Sequence, residues 1–290
     1  MNISPKTIQI YLPQGSAAGI RVAELTTRIV QAVAIPRTGL EAFFLRPEAK
    51  HIATYLLFGG DDESTKPIVY IGQTEDLRLR LKSHDANKEF WNTAVVLISR
   101  THSFTQAHIR WLEWRAISAT TEAKRYKLNN GNAGGEPFVT EPIRADVEEI
   151  FETGALLLES LGYPVFRPYL TTPAGTNLPA DSDIWFLSGP NADARAQFTD
   201  SGFVVLKGSK SRTQFSKAAQ NTGFAQNRDR LLADGLLKQE GASLIFKEDI
   251  PFRSPSGAAA IVLARHANGW ISWRNAKGET LDTIKRQTLD

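Results

Sequence analysis

Six side chains of the kinds that hold anions and move protons fall between positions 55 and 130: Tyr55, Tyr70, Arg80, His84, Glu113 and Asn130, with Asn129 a near equivalent of the last. A guanidinium is a fixed cation with a planar fork of donors, phenol and imidazole both give and accept protons, and a carboxylate attracts hard cations. Arg80 and His84 are four apart, so on a helix they share a face and can aim at one spot near Tyr70. The chemistry therefore depends on a helix at 75–84 fed by a strand carrying Tyr70.

The local pattern predicts both. Residues 67–72, Pro-Ile-Val-Tyr-Ile-Gly, form a β-branched run closed by glycine. Gln73 and Thr74 follow, then Leu77 and Leu81 at helical spacing, which reads as strand, tight turn, Thr cap and helix. Upstream, residues 52–58 read as a partner strand and 59–66 as a polar turn, so the two tyrosines face each other across a hairpin. Residues 94–99 make a third strand. Thr105 caps a helix from 106 to about 119, with Ile109, Leu112 and Ala116 as its apolar stripe and Glu113 beside it. Trp111 and Trp114 on that helix read as core anchors. Each candidate also has a plain structural reading. Paired tyrosines pack across strands, Arg80 is a solvated helix residue, and His84 is a capping or surface histidine. Glu113 pairs with Arg110 or Arg115, and Asn-Asn-Gly-Asn at 129–132 is a turn signature.

Tyr55, Tyr-Ile-Gly at 70–72, Arg80 ten residues after Tyr70, His84 one turn later, Glu113 and an asparagine at 129 or 130 resemble the GIY-YIG nuclease domain in residue type and order. The resemblance covers roughly residues 50–135. It departs at the first triplet, Ala53-Thr54-Tyr55 where the family has Gly-Ile-Tyr; the tyrosine is kept, and the freedom a glycine gives the backbone is lost. The resemblance implies a small mixed or antiparallel sheet flanked by helices and a metal-dependent endonuclease that hydrolyses DNA phosphodiester bonds. Glu113 would then hold Mg2+ or Mn2+, and Arg80 would neutralise charge developing on the phosphate. Tyr70 would orient or activate water with Tyr55 hydrogen-bonding nearby, His84 would relay a proton or touch phosphate, and Asn130 would position substrate or brace the site. Arg80 is the cation expected beside Tyr70.

The chain has 290 residues, 42% hydrophobic and 22% charged, enough for two domains and a sizeable core. It has no cysteine, which excludes a disulfide framework or thiolate zinc site and fits a reducing compartment. The N-terminus lacks an apolar signal core, and the longest apolar run, 258–264, is far too short for a bilayer, so a cytoplasmic protein without membrane contact is expected. Net charge is only +3, but it is unevenly spread. Residues 67–134 hold ten Lys and Arg against six Asp and Glu (+4), 135–202 three against eleven (−8), and 203–290 fourteen against eight (+6). Basic segments attract a phosphate backbone and an acidic one is repelled from it; solvated faces without a partner are the plainer alternative.

The expected class is α+β in two parts. Residues 1–49 form an N-terminal β appendage and 50–135 the nuclease-like domain. Residues 136–166 hold an acidic connecting helix closed by Gly162, 167–183 a linker, and 184–290 a second α+β domain. Within the last, 202–208 and 243–247 read as strands and 227–237 as a short helix. Residues 254–263 make a buried helix with Ser254 as cap and Pro255 in its first turn, and 268–273 a turn and strand. Trp270 and Trp273, three apart on a strand, then point to opposite faces, leaving one for the core and the other for base stacking or a half-buried structural place. Phe-Val-Val-Leu-Lys-Gly at 203–208, the Ser-Pro-Ser helix start and Asn-Gly-Trp with its second Trp resemble an uncharacterised domain that often trails GIY-YIG nucleases, with relatives that accompany DNA methylation and restriction proteins. The expected partner is DNA, with RNA left open. Two other classes compete: a non-catalytic DNA-binding or modified-base-reading protein on the same scaffold, and an interaction scaffold using its C-terminal tryptophans. No phosphate-binding Gly-rich loop, His-Glu-x-x-His or Gly-x-Ser-x-Gly motif is present.

Overall fold

Runs of alanine and β-branched residues, uninterrupted where both faces are covered, build one sheet from the first half of the chain. The computed structural model describes residues 5–60, 65–131, 134–170 and 184–286. The expected linker at 167–183 falls mostly outside these. The described residues up to Pro168, Thr65 excepted, form one compact unit, and Thr65 with those from Tyr169 onward forms another.

The first unit contains β1 (Ile8–Tyr11), β2 (Arg21–Leu25), β3 (Val30–Pro36), α1 (Leu40–Phe44), β4 (Ala53–Gly59), β5 (Ile68–Thr74), α2 (Leu77–Asn87), β6 (Trp91–Ser99), α3 (Gln106–Ala123), β7 (Lys127–Leu128) and α4 (Glu141–Ser160). Its sheet runs β1-β2-β3-β6-β4-β5-β7 and is antiparallel except for the short β5–β7 pair. β4 lies between β6 and β5, six of its seven residues buried. On one face Leu56, Phe58, Val69 and Ile71 pack with Ile109 and Leu112 of α3 and Val147, Ile150 and Phe151 of α4. On the other, Tyr55, Leu57 and Val96 pack with Leu40 and Phe43 of α1 and Leu77 and Leu81 of α2.

The β segment 1–49 extends the sheet as an appendage would, all seven residues of β3 pairing with β6. Other local readings change. The α2 helix starts at Leu77 with Asp76 as its cap, its side chain accepting from Leu79 N at 2.9 Å, while Thr74 closes β5 and bonds Asp76 N through its hydroxyl at 3.1 Å. Both residues suit a cap, and the strand's last ladder position takes the threonine. Tyr55 pairs with Gly72 and Tyr70 with Leu57, so the tyrosines are diagonal neighbours on one face rather than directly opposed. The acidic helix α4 lies against the sheet within the first unit's core, and Gly162 follows it at φ +95°.

The second unit contains β8 (Ile184–Gly189), β9 (Ala192–Thr199), β10 (Gly202–Val205), β11 (Lys210–Arg212), α5 (Gly223–Ala233), β12 (Leu237–Glu240), β13 (Ser243–Phe246), β14 (Ile250–Phe252), α6 (Pro255–Leu263), α7 (Gly269–Ser272) and α8 (Leu281–Lys285). Its sheet is ordered β12-β13-β11-β9-β10-β14, with β8 also on β9. The apolar α6 is buried, with Ser254 Oγ accepting from Gly257 N at 3.1 Å. The expected strand at 268–273 is instead the single helical turn α7, whose Asn268 cap accepts from Trp270 N. Trp273 is fully buried, its Nε1 donating to Pro255 O at 3.0 Å. Trp270 is half-buried with the Arg286 guanidinium 3.7 Å from its ring. One tryptophan is core, as expected, through helical rather than strand spacing. Among the described residues no helix is long and apolar enough to cross a membrane.

Gly269 shows why α7 can lie so close to α6. A Cβ there would stand 2.2 Å from the Pro255 carbonyl carbon and oxygen, and backbone cannot yield as a side-chain end can. Gly269→Ala is expected to destabilise the protein by about 1–3 kcal/mol, as overpacking generally does, and to do so in the second unit. Urea unfolding followed by tryptophan fluorescence checks this; an unchanged midpoint would remove the argument.

Candidate functional site

Tyr55 is completely buried beneath β5, so its hydroxyl must find partners inside the protein. Gly72, directly across the ladder, leaves the room: a Cβ there would lie 2.4 Å from Tyr55 Oη. Through that gap the hydroxyl accepts from Arg80 Nε at 2.8 Å and lies 2.8 Å from His84 Nε2. Arg80 and His84 thus meet at one point, the Tyr55 hydroxyl, with Tyr70 beside it, as their spacing predicts.

Protonation follows from the surroundings. Burial, and then the charges of Arg80 and Lys88, depress His84 to about 4 from an ordinary 6.5. The imidazole is neutral at pH 7, and the Tyr55 hydroxyl is placed to donate to its Nε2. Burial raises the Tyr55 pKa despite the Arg80 hydrogen bond, so this phenol stays protonated and serves as a hinge for Arg80. Tyr70 is the tyrosine that solvent reaches; its ring centroid is 6.3 Å from that of Tyr55 and 5.2 Å from that of His84. Lys88 Nζ lies 4.3 Å above the Tyr70 ring. Sequence reasoning passed over Lys88, although Arg80, His84 and Lys88 repeat at a helical interval of four.

The free edge of β5 organises the remaining two residues. β7 satisfies only its first part: Lys127 N donates to Pro67 O and Asn129 N to Val69 O, both at 2.8 Å. At the next outward position the Asn130 side chain replaces a strand, its Oδ1 accepting from Ile71 N at 2.9 Å and its Nδ2 donating to Ile71 O at 2.6 Å. Asn129 contributes through its backbone and Asn130 through its amide, so Asn130 is the bracing residue of the two. One ladder position further, the Gln73 backbone N–H faces the Glu113 carboxylate. Glu113 is half-buried, and burial raises its pKa while the charge of Arg80, the Gln73 amide and Arg110 pull the other way. Arg115 pairs instead with Glu148 at 3.8 Å. Thr54, part of the departing triplet, points to the other face and donates to Ile109 O of α3 at 3.3 Å, tying β4 to the helix that carries Glu113.

Among the described residues no group of three His, Asp or Glu is arranged to hold a metal ion. The donor set at Glu113 is one carboxylate open to water, which suits a hard cation that keeps most of its hydration shell and shares a phosphate, and does not suit an ion caged by protein.

In the second unit the comparison with protein families is informative. Residues 185–285 match DUF4357, a domain of unknown function. The DUF4357 segment thus spans β8 to α8 and includes the buried α6 and the Trp270–Trp273 turn. No match to the GIY-YIG family accompanies it over the first unit. No curated protein and no solved structure matches the chain.

Two outcomes are expected from this geometry. Folded His84 takes its proton near pH 4 and an unfolded histidine near 6.5, so the unfolded chain binds the proton more readily and acid favours unfolding. The stability tied to His84 is intact above about pH 6.5 and is lost as the pH falls towards 4. Calorimetric midpoints for wild type and His84→Gln should therefore differ most at neutral pH and converge across that window; a constant difference would refute the assignment. Gly72→Ala should cost roughly 1–3 kcal/mol and, by displacing Tyr55 Oη, free Arg80, which NMR of the Arg80 Nε–H would register.

Proposed function

We propose that the first unit hydrolyses DNA phosphodiester bonds with a divalent metal ion, in the manner of the GIY-YIG nucleases it resembles, and that the DUF4357 segment helps hold the nucleic acid. RNA is the alternative substrate. The observation that carries this reading is the placing of Arg80: Tyr55, itself hydrogen-bonded to His84, accepts from its Nε, while its charge acts on Tyr70 and Glu113 alike. A phosphate lying between Tyr70 and Glu113 would meet a fixed guanidinium, which stabilises charge as it develops. Tyr70 is the hydroxyl positioned to orient or activate the attacking water, with the Lys88 ammonium adding positive charge beside it. Tyr55 and His84 position Arg80, and Asn130 keeps β5 straight under Tyr70. A magnesium or manganese ion supplies, when bound at Glu113, polarisation of the scissile phosphate and stabilisation of the leaving 3′ oxygen.

A second reading, a non-catalytic DNA-binding protein, is favoured by the bracing role of Asn130, since satisfying the β5 edge is work any scaffold needs. The test separates them. Wild type should nick supercoiled plasmid with magnesium, and Glu113→Gln and Arg80→Ala should lose at least ~100-fold in rate, the size of a lost transition-state contact. A Glu113 pKa raised above 4.5 means the folded state prefers the neutral acid; its favourable contribution is present below 4.5 and lost as the pH rises through the folded value. At pH 7.5 without metal, Glu113→Gln should therefore melt no lower than wild type, and magnesium should raise the wild-type midpoint only. Undiminished nicking by Glu113→Gln would end the nuclease reading, and salt-sensitive duplex binding without any metal-dependent cleavage would select the second.

A further inference from the structure

The second unit carries a basic cleft that the nuclease chemistry does not use. It has a volume of about 590 Å³ and runs along α5 to the start of α6, where Gln226, Asn227, Arg230, Arg253 and Ser254 line it. Arg230 and Arg253 are exposed, and neither side chain makes an ion pair or hydrogen bond with a described residue. The described walls of the cleft include no carboxylate. Three other arginines of this unit are engaged: Arg228 is buried over the Phe215 ring and donates to Arg212 O, Arg286 covers Trp270, and Arg274 donates to Gly278 O. Two guanidiniums left unpaired in one concavity carry like charge with no counter-charge, an arrangement that an anion relieves.

The helix supports the same chemistry. Its apolar and buried positions Ala225, Arg228 and Leu231 turn inward, leaving Gln226, Asn227 and Arg230 on one outward face. The amides of Gly223 and Phe224, which also line the cleft, stand in the first turn, where no helix carbonyl reaches them and the helix dipole is positive. The volume exceeds what a single phosphate fills, and Gln and Asn side chains are the types that bond sugar and base edges. Residues 203–290 hold fourteen Lys and Arg against eight Asp and Glu, a surplus suited to a polyanion.

We infer that this cleft holds the sugar-phosphate backbone of a nucleic acid, with Arg230 and Arg253 as its phosphate forks and Gln226 and Asn227 reaching past the phosphates. The choice of nucleic acid among polyanions rests on the proposed nuclease activity; the anion chemistry of the cleft does not. The DUF4357 segment then supplies grip, and the first unit supplies the cut.

The full-length protein is titrated into a fluorescein-labelled 20-base-pair duplex in EDTA over a series of salt concentrations, with plasmid nicking in magnesium measured in parallel. Arg230→Gln/Arg253→Gln should weaken binding by at least about ten-fold and lower the salt-dependence slope by about two, one per phosphate contact. Lys238→Gln/Lys277→Gln, the same charge change on exposed residues outside the cleft, should alter affinity by less than about three-fold. Melting curves verify folding, and Arg253→Gln alone, at an exposed position, should still lower the slope by about one. Equal losses in the cleft and control variants, or none in either, would overturn the inference, as would absence of duplex binding at low salt. Release of the duplex by millimolar inorganic phosphate at constant ionic strength would overturn it too, marking a small-anion site. Nicking with unchanged affinity in the cleft variants defeats this inference alone; selective loss of affinity without nicking in wild type defeats the nuclease reading alone.

Discussion

A phenol hydroxyl sealed inside a protein must both give and receive a hydrogen bond or leave a polar group stranded at a cost of about 1–3 kcal/mol. Tyr55 meets this by accepting from Arg80 and facing the neutral ring of His84, and much of the first unit follows from that one requirement. It needs glycine at position 72, since any Cβ would occupy the space of the hydroxyl. It also needs α2 to present residues 80 and 84 together over β4, which the buried Leu77 and Leu81 secure by packing on the same face of the sheet.

The second constraint is the unpaired side of β5. A sheet edge exposes backbone donors and acceptors that invite pairing with another chain. Here the two-residue β7 and then the Asn130 amide take successive ladder positions, and the Glu113 carboxylate lies near the Gln73 amide beyond them. Edge protection and the candidate chemistry therefore share residues. Glu113 comes from α3, which packs on the face of the sheet opposite Tyr55 and α2.

How legible was this? Strand β5 and helix α3, with its apolar stripe, followed from period and β-branching, as did the start of α6, where Ser254 and Pro255 announce a helix. The strand β9 was missed because Ala-Asp-Ala-Arg-Ala alternates with alanine, a weak strand former, and is held by three neighbouring strands rather than by its own preference. The turn α7 was misread as a strand because a four-residue helix has no period to detect. Its shape is set by close backbone contact between Gly269 and Pro255. At the site, spacing brought Arg80 and His84 together near Tyr70 correctly but could not say that the Tyr55 hydroxyl is what they share, since register decides that.

The amino-acid sequence by itself determined which side chains share a helix face or a strand face, because periods of 3.6 and 2 are local properties of the backbone. It also determined the absence of thiol chemistry and the uneven spread of charge. Only the tertiary structure decided that Tyr55 is fully buried and Tyr70 only partly, that Asn130 completes a sheet, that Glu113 and Arg80 sense each other, and that Arg230 and Arg253 lie unpaired in one cleft. Those facts depend on contacts between residues far apart in the chain, and burial, which sets both hydrogen-bond demand and proton affinity, exists only once those contacts have formed.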